Sequence, residues 1–240
     1  MSKKTLSNTL SITITQQDFT NTVGARQIIL PRYVEQEKAS ALLFLSHQVF
    51  SLPEILLKTV TLNTFYATGI MDVYTVAHHI YNLCQNDNLQ SLLACGNTSA
   101  VTLIKCVNHN GSTINHMSFA SKYANLENPN KFPIMDDLVV DIFSRLRRQH
   151  FFKKNTHFSK SALKADYALF KNVYDEFIFL SGMGSLYNAA GNHLNYRDID
   201  HYLWTTKKVQ YALQGKNSAK VQLTAPVISL IQANPIYIYG

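Results

Sequence analysis

The strongest constraint on the fold of this chain is the spacing of its apolar residues. They recur at helical intervals in one segment after another. From Asp136 to Gln149, Val139, Ile142, Phe143 and Leu146 follow the i, i+3, i+4, i+7 order that sets a single stripe on a 3.6-residue helix. The same spacing runs through Gln36–Phe50, which ends before Pro53, and through Ile55–Leu83, which Gly69 divides in two. Shorter stretches at Leu89–Ala94, Ala100–Val107 and Met117–Asn125 read as helices, as do the longer ones at Ser161–Gly182 and Asp198–Val209. Residues 108–112 read as a turn and residues 128–133 as a loop. Short strands are expected only at Thr9–Thr15, Ile28–Leu30 and Ile236–Tyr239, so the class is all-α.

Composition narrows the function classes. A length of 240 residues leaves room for one domain or two small lobes on a shared core. The longest apolar run, Ala41–Leu45, is five residues, whereas a membrane span needs about 20, so no membrane partner is expected. Met1 to Lys4 is basic, but Thr5–Gln17 is hydroxyl-rich and has no apolar signal core, which argues against secretion. Cys84, Cys95 and Cys106 form no CxxC pair, and three thiols cannot supply a four-cysteine cluster. They read as small buried thiols in a reducing compartment, so the expected location is cytoplasmic. His78 and His79 are adjacent and diverge on a helix, and His109 and His116 have no matching carboxylate motif. No metal and no cofactor are expected.

The net charge of +7 has a single source. Arg145, Arg147, Arg148, Lys153, Lys154, Lys160 and Lys164 fall in twenty residues without an acid, and the rest of the chain holds fifteen bases and fifteen acids. Phe151, Phe152 and Phe158 are interleaved with these bases. Two readings stand: a solvated helix face, or a polyanion site giving affinity without sequence choice. Nucleic acid is favoured over a lipid surface, because no wide apolar face accompanies the charge.

The sharpest local feature is Phe132-Pro133-Ile134-Met135-Asp136-Asp137, a proline loop running into two carboxylates that open a helix. A helix cap accounts for one aspartate and does not require the second. Taken with its surroundings, the string resembles the core of the helix–hairpin–helix DNA glycosylase superfamily. Ser118-Phe119-Ala120-Ser121-Lys122-Tyr123 precedes it, and Ser118 and Asp136 stand 18 residues apart, as in the adenine-mismatch branch. Leu62-Asn63-Thr64-Phe65-Tyr66 is similar to the helix lining that family's base pocket. Residues 196–204, ending Ile199-Asp200-His201-Tyr202-Leu203-Trp204, are similar to a segment of a bacterial subgroup. The four strings span roughly residues 55 to 210 in the family's order.

The resemblance implies a two-lobed fold with a cleft: a helical barrel lobe over residues 54–133, and a second lobe built from residues 1–53 with 134–240. It implies a monomer that acts on double-stranded DNA as a monofunctional glycosylase. Such an enzyme hydrolyses the N-glycosidic bond of a modified or mismatched base and leaves an abasic site, here in housekeeping repair or in defence against phage DNA with modified cytosines. Asp136 is the implied catalytic residue, beside a non-catalytic Asp137. Asn63, Phe65, Tyr66, Tyr123 and Trp204 are the implied pocket residues, though for each aromatic a place in the core is the favoured reading of the residue by itself. Two departures stand out. Ile114-Asn115-His116 occupies the place of the family's Gly-x-Gly hairpin, so Asn115 and His116 are the expected phosphate contacts there. Ser118 stands where lyase-type relatives carry a Schiff-base lysine, and Lys122, one turn on, is expected to meet phosphate or solvent. The alternative is a non-catalytic DNA-binding protein that uses the basic 145–164 segment, with Asp136 only a helix cap.

Overall fold

A computed structural model describes residues 10–46, 50–86, 88–109, 111–215 and 224–239. The chain is predominantly helical, with a single two-stranded antiparallel sheet among the described residues. The elements are α1 (Gln16–Ile29), α2 (Pro31–Ser46), α3 (Leu52–Tyr66), α4 (Val73–Asn86), α5 (Leu89–Cys95) and α6 (Ser99–Lys105), followed by a hairpin of β1 (Cys106–His109) and β2 (Ser112–Asn115). Then come α7 (Met117–Glu127), α8 (Asp137–Arg148), α9 (Lys160–Ala165), α10 (Tyr167–Ser181), α11 (Tyr196–Leu213), α12 (Ala225–Gln232) and α13 (Pro235–Tyr239).

Local chemistry sets the boundaries. Ser51 and Glu54 form a capping box at the start of α3, with Pro53 in the first turn, where its missing N–H costs nothing. The helix stops at Ala67 in the left-handed region, and Gly69, at φ +74°, lets the chain turn toward α4. Residues 161–182, read as one helix, are two. Asp166 ends α9 with its backbone N–H bonded to Ala162 and caps α10 by accepting the Leu169 N–H at 3.1 Å.

Other expectations are corrected. Ile28 and Ile29 end α1 instead of forming a strand, and Ile236–Tyr239 lies within α13. Residues 10–15 form no strand, and Thr9 lies outside the described residues. Cys106 opens β1, and Cys95 and Cys106 are exposed, so the thiols are not uniformly buried helix residues. The α1 helix escaped periodicity because polar residues interrupt its apolar stripe. Its capping box of Thr15 and Asp18 was the available signal.

One large buried cluster extends from Ile12 to Ile236 and includes residues of both 54–133 and 134–240. At its centre Phe143 is fully buried, with ring centroids 5.2 Å from Phe177 and 5.3 Å from Tyr174. Truncating such a ring costs about 3–5 kcal/mol. A smaller cluster of Ala25, Ile29, Leu30, Val209 and Ile231 ties α1 to α11 and α12, with Tyr33 and Trp204 packed on it. Helix α11 therefore lies against α1 near one end of the chain and against α8 in its middle, while α2 packs on α3 and α7. Residues of α1, α2, α3, α7 and α11 line one pocket. Among the described residues, no helix is long and apolar enough to cross a membrane.

Candidate functional site

Asp136 stands at the mouth of α8 on a rigid loop. Its backbone is extended, and its Oδ1 accepts the Leu138 N–H at 2.8 Å, satisfying one of the unpaired donors of the first turn. The loop before it is pinned from two helices. Ser121 Oγ of α7 accepts the Met135 N–H at 3.0 Å, and Asn125 Nδ2 donates to the Phe132 carbonyl at 2.7 Å. Tyr167 Oη of α10 donates to the Pro133 carbonyl at 2.7 Å. Ser121 and Asn125 are four residues apart and share a face of α7, so one helix face supplies two of the three bonds. The second carboxylate behaves differently. Asp137 is mostly exposed and pairs with Lys164 Nζ at 2.7 Å.

The Asp136 side chain enters a pocket of about 240 Å³. Lys122 of α7 points into the same pocket and is nearly buried. Its Nζ donates to Ser118 Oγ at 2.6 Å and lies 4.0 Å from Asp136 Oδ2. Lys122, expected to meet phosphate or solvent, is only 6% exposed and faces the pocket. The turn that separates it from Ser118 folds its long stem inward over the serine hydroxyl. Phe65 and Tyr66, at the end of α3, form one wall, and Trp204 of α11 forms another with Tyr33 packed edge-on at 5.2 Å. The Trp204 ring also carries Lys208 Nζ at 5.0 Å.

A buried ion cluster closes the floor. Glu37 of α2 is hydrogen-bonded by both Arg26 of α1 and His201 of α11. Burial alone would raise its pKa, but the charges of His201 and Arg26 outweigh that and hold it at about 2. Burial pushes the Tyr66 phenol up, and the Glu37 charge adds to the shift. Arg197 donates to the Asn125 side-chain and backbone oxygens at 3.1 and 3.0 Å. Asp200 is only 8% exposed, and burial, then the Asp136 and Glu37 charges, push its pKa up to about 8.

The structure thus brings together Phe65, Tyr66, Lys122, Asp136 and Trp204, which lie in four separate stretches of sequence. It leaves the other candidates elsewhere. Asn63 closes the α3–α4 turn, accepting the Ile70 N–H and donating to the Ile70 carbonyl, both at 2.9 Å. Tyr123 is fully buried against Phe44 and Phe119 and does not line the pocket. It sits one residue past Lys122, so the helix turns it to the core side. Asn115 accepts the Met117 N–H at 3.1 Å, and His116 packs edge-on to His109, its pKa lowered by burial. Strand β2 is exposed throughout.

The basic segment also needs correction. Arg145, Arg147 and Arg148 lie in the last turn of α8, about 14–18 Å along the axis from Asp136, so proximity in sequence did not bring them to the pocket. Arg145 and Lys160 pair with Asp141, and Lys164 pairs with Asp137. Phe151, Phe152 and Phe158 are core residues, not a stacking surface. Arg147, Arg148, Lys153 and Lys154 remain exposed. Arg147 lies over the Phe158 ring and Lys153 over the Phe179 ring, each at 5.3 Å.

The pocket residues missed in the sequence include Arg26, Glu37, Arg197, Asp200 and His201. Three of them had a signal. Arg197, Asp200, His201, Trp204 and Lys208 follow i, i+3, i+4, i+7, i+11 and form one polar-aromatic face of α11. Among the described residues, no group of three or more His, Cys, Asp or Glu side chains is arranged to hold a metal ion.

Residues 16–131 match a family model described as HI_0787_N, N-terminal domain. That range includes Arg26, Glu37, Tyr66 and Lys122 of the pocket and stops before Asp136, Asp200 and Trp204. A protein of Haemophilus influenzae (strain ATCC 51907 / DSM 11121 / KW20 / Rd) named only as uncharacterized is 28% identical over 146 residues, 61% of this chain and 62% of the relative. The chain therefore matches less than two thirds of that relative's length. No solved structure matches.

Proposed function

We propose that this chain is a monofunctional DNA glycosylase of the helix–hairpin–helix type. In this reading the pocket lies between a lobe of residues 54–133 and a lobe of residues 1–53 with 134–240. The substrate is a modified or mismatched base in double-stranded DNA, with phage DNA carrying modified cytosines as the class the resemblance implies. The observation that carries the reading is the pocket itself. A helix-capping carboxylate, Asp136, whose second oxygen lies 4.0 Å from Lys122 Nζ, faces a small cavity walled by Phe65, Tyr66 and Trp204. The cavity is smaller than the range usual for drug-sized ligands, a size suited to a single heterocycle. A duplex base enters such a site only when flipped from the stack, and aromatic walls then hold its faces.

The chemistry follows from the charges. As the C1′–N bond breaks, the base leaves with the electron pair and positive charge grows on the sugar. The Asp136 carboxylate stabilises that cation and takes the proton of the water that adds to C1′. Duplexes with modified or unmodified bases, incubated with the protein and then treated with alkali, test the reading. Strand breaks that appear only after alkali report excision, and a mobility shift without breaks reports the non-catalytic DNA-binding alternative. Asp136→Asn should lower excision at least about a hundredfold while Asp137→Asn keeps most of it. Equal losses in the two variants would remove Asp136 from the role.

A second reading is favoured by one distance. Lys122 Nζ is 4.0 Å from Asp136 and its side chain lines the pocket, and in this second reading the amine, rather than water, attacks C1′. Borohydride added during turnover traps a protein–DNA adduct in that case, and the adduct disappears in Lys122→Met.

A further inference from the structure

We propose that Asp200 is the proton donor to the departing base, the acid partner of Asp136 across the same pocket. This inference rests on the glycosylase reading above and adds a second catalytic residue to it. Its basis is geometric. Asp200 sits one turn into α11 on the face that carries Arg197 and Trp204, is more than nine-tenths buried and lines the pocket. Its Oδ1 has no hydrogen-bond partner among the described residues. A buried polar atom left unpaired in a native site calls for a missing partner, and the residue that carries this one lines the cavity.

The surrounding charges decide which state the carboxyl holds. The neighbouring cations are committed elsewhere: Arg26 and His201 to Glu37, Lys122 to Ser118 and Asp136, Arg197 to Asn125. Lys208 lies over Trp204, and the Tyr66 phenol across the pocket is itself pushed toward its neutral form. Burial weighs most on Asp200, and the charges of Asp136 from the loop before α8 and Glu37 from α2 add to it, outweighing the opposing pull of Lys122 and Arg26. Desolvation and two like charges favour the protonated acid, in line with a pKa of about 8. Two carboxyls whose surroundings drive them apart are the arrangement that divides acid from base work.

The step balances without any further reactant. Asp200 gives its proton to a ring nitrogen or carbonyl oxygen of the base as the C1′–N electron pair moves onto the base. Water adds to C1′, its proton passes to Asp136, and exchange with solvent restores Asp200. The substrate class is therefore a base that is neutral when bound and presents an acceptor toward α11.

The test measures single-turnover excision from about pH 6 to about pH 9.5 in the full chain and in Asp200→Asn and Asp200→Glu, with infrared spectra of the same proteins. The expected wild-type rate falls about tenfold per pH unit above about pH 8, and Asp200→Asn loses about 10²–10⁴-fold and this alkaline limb together. Asp200→Glu recovers part of both. A protonated-carboxyl infrared band present near pH 7 should vanish in Asp200→Asn. Wild-type excision with an undiminished rate and limb in Asp200→Asn overturns this inference and leaves the glycosylase reading standing. Absence of excision in the wild type overturns both. An Asp200 carboxyl that is ionised near pH 7 in the infrared also overturns the inference.

Discussion

Replacing Asp200 with Asn should stabilise the protein, and only over a defined pH range. The ordinary Asp pKa is 3.8 and burial beside Asp136 and Glu37 pushes this one up to about 8. The folded chain then holds a proton that the unfolded chain releases, so stability falls as pH rises from about 4 to about 8 and is lowest above that. Four pH units correspond to about 5 kcal/mol above pH 8, and to about 4 kcal/mol at pH 7. The amide keeps the shape of the neutral acid and cannot ionise, so it avoids this cost. Allowing for relaxation around the carboxylate, the gain at pH 7 should be on the order of 2–3 kcal/mol. Urea unfolding followed by circular dichroism from about pH 4.5 to about pH 9 reads this directly. Wild type should lose midpoint up to about pH 8 and then level off, while Asp200→Asn stays nearly flat. The two curves should meet near pH 4. Parallel curves would mean that Asp200 is ionised in the folded protein, and the reasoning about its surroundings would be wrong.

Glu37 should show the opposite window. Its carboxylate is held at about 2, so its contribution is complete above pH 4.5 and disappears as pH falls toward 2. Glu37→Gln should cost about 3 kcal/mol at neutral pH, measured by urea unfolding, because Arg26 and His201 lose their shared counter-charge, and its acid limb should flatten. Ser121→Ala and Tyr167→Phe each leave one buried backbone group of the loop before Asp136 unpaired, and thermal unfolding should report a loss of about 1–2 kcal/mol for each. Reversing Arg147, Arg148, Lys153 and Lys154 to Glu should weaken DNA binding about equally for all sequences, with the salt slope reduced by about 0.9 per lost contact. Unchanged affinity and slope would identify these side chains as a solvated surface.

The sequence alone determined the helical class and the core faces. A stripe such as Val139, Ile142, Phe143 and Leu146 is local information, because a helix with one apolar face has one way to bury it. The helix opening at Asp136 was legible for the same reason, since capping involves only the next few residues. The tertiary structure decided the rest. That Asp136 turns inward and Asp137 outward depends on Ser121, Asn125 and Tyr167 gripping the loop from α7 and α10. That Lys122 lies in the pocket while Tyr123 lies in the core depends on which sides of α7 face α2 and α11. The distance of the basic segment from the pocket was not legible, because charge is counted along the chain, whereas α8 holds its two ends about 18 Å apart. Asp200 was invisible as a candidate proton donor. A carboxyl's charge state is set by what surrounds it, and Glu37 and Asp136 reach it from far along the chain only when α2, α8 and α11 have packed.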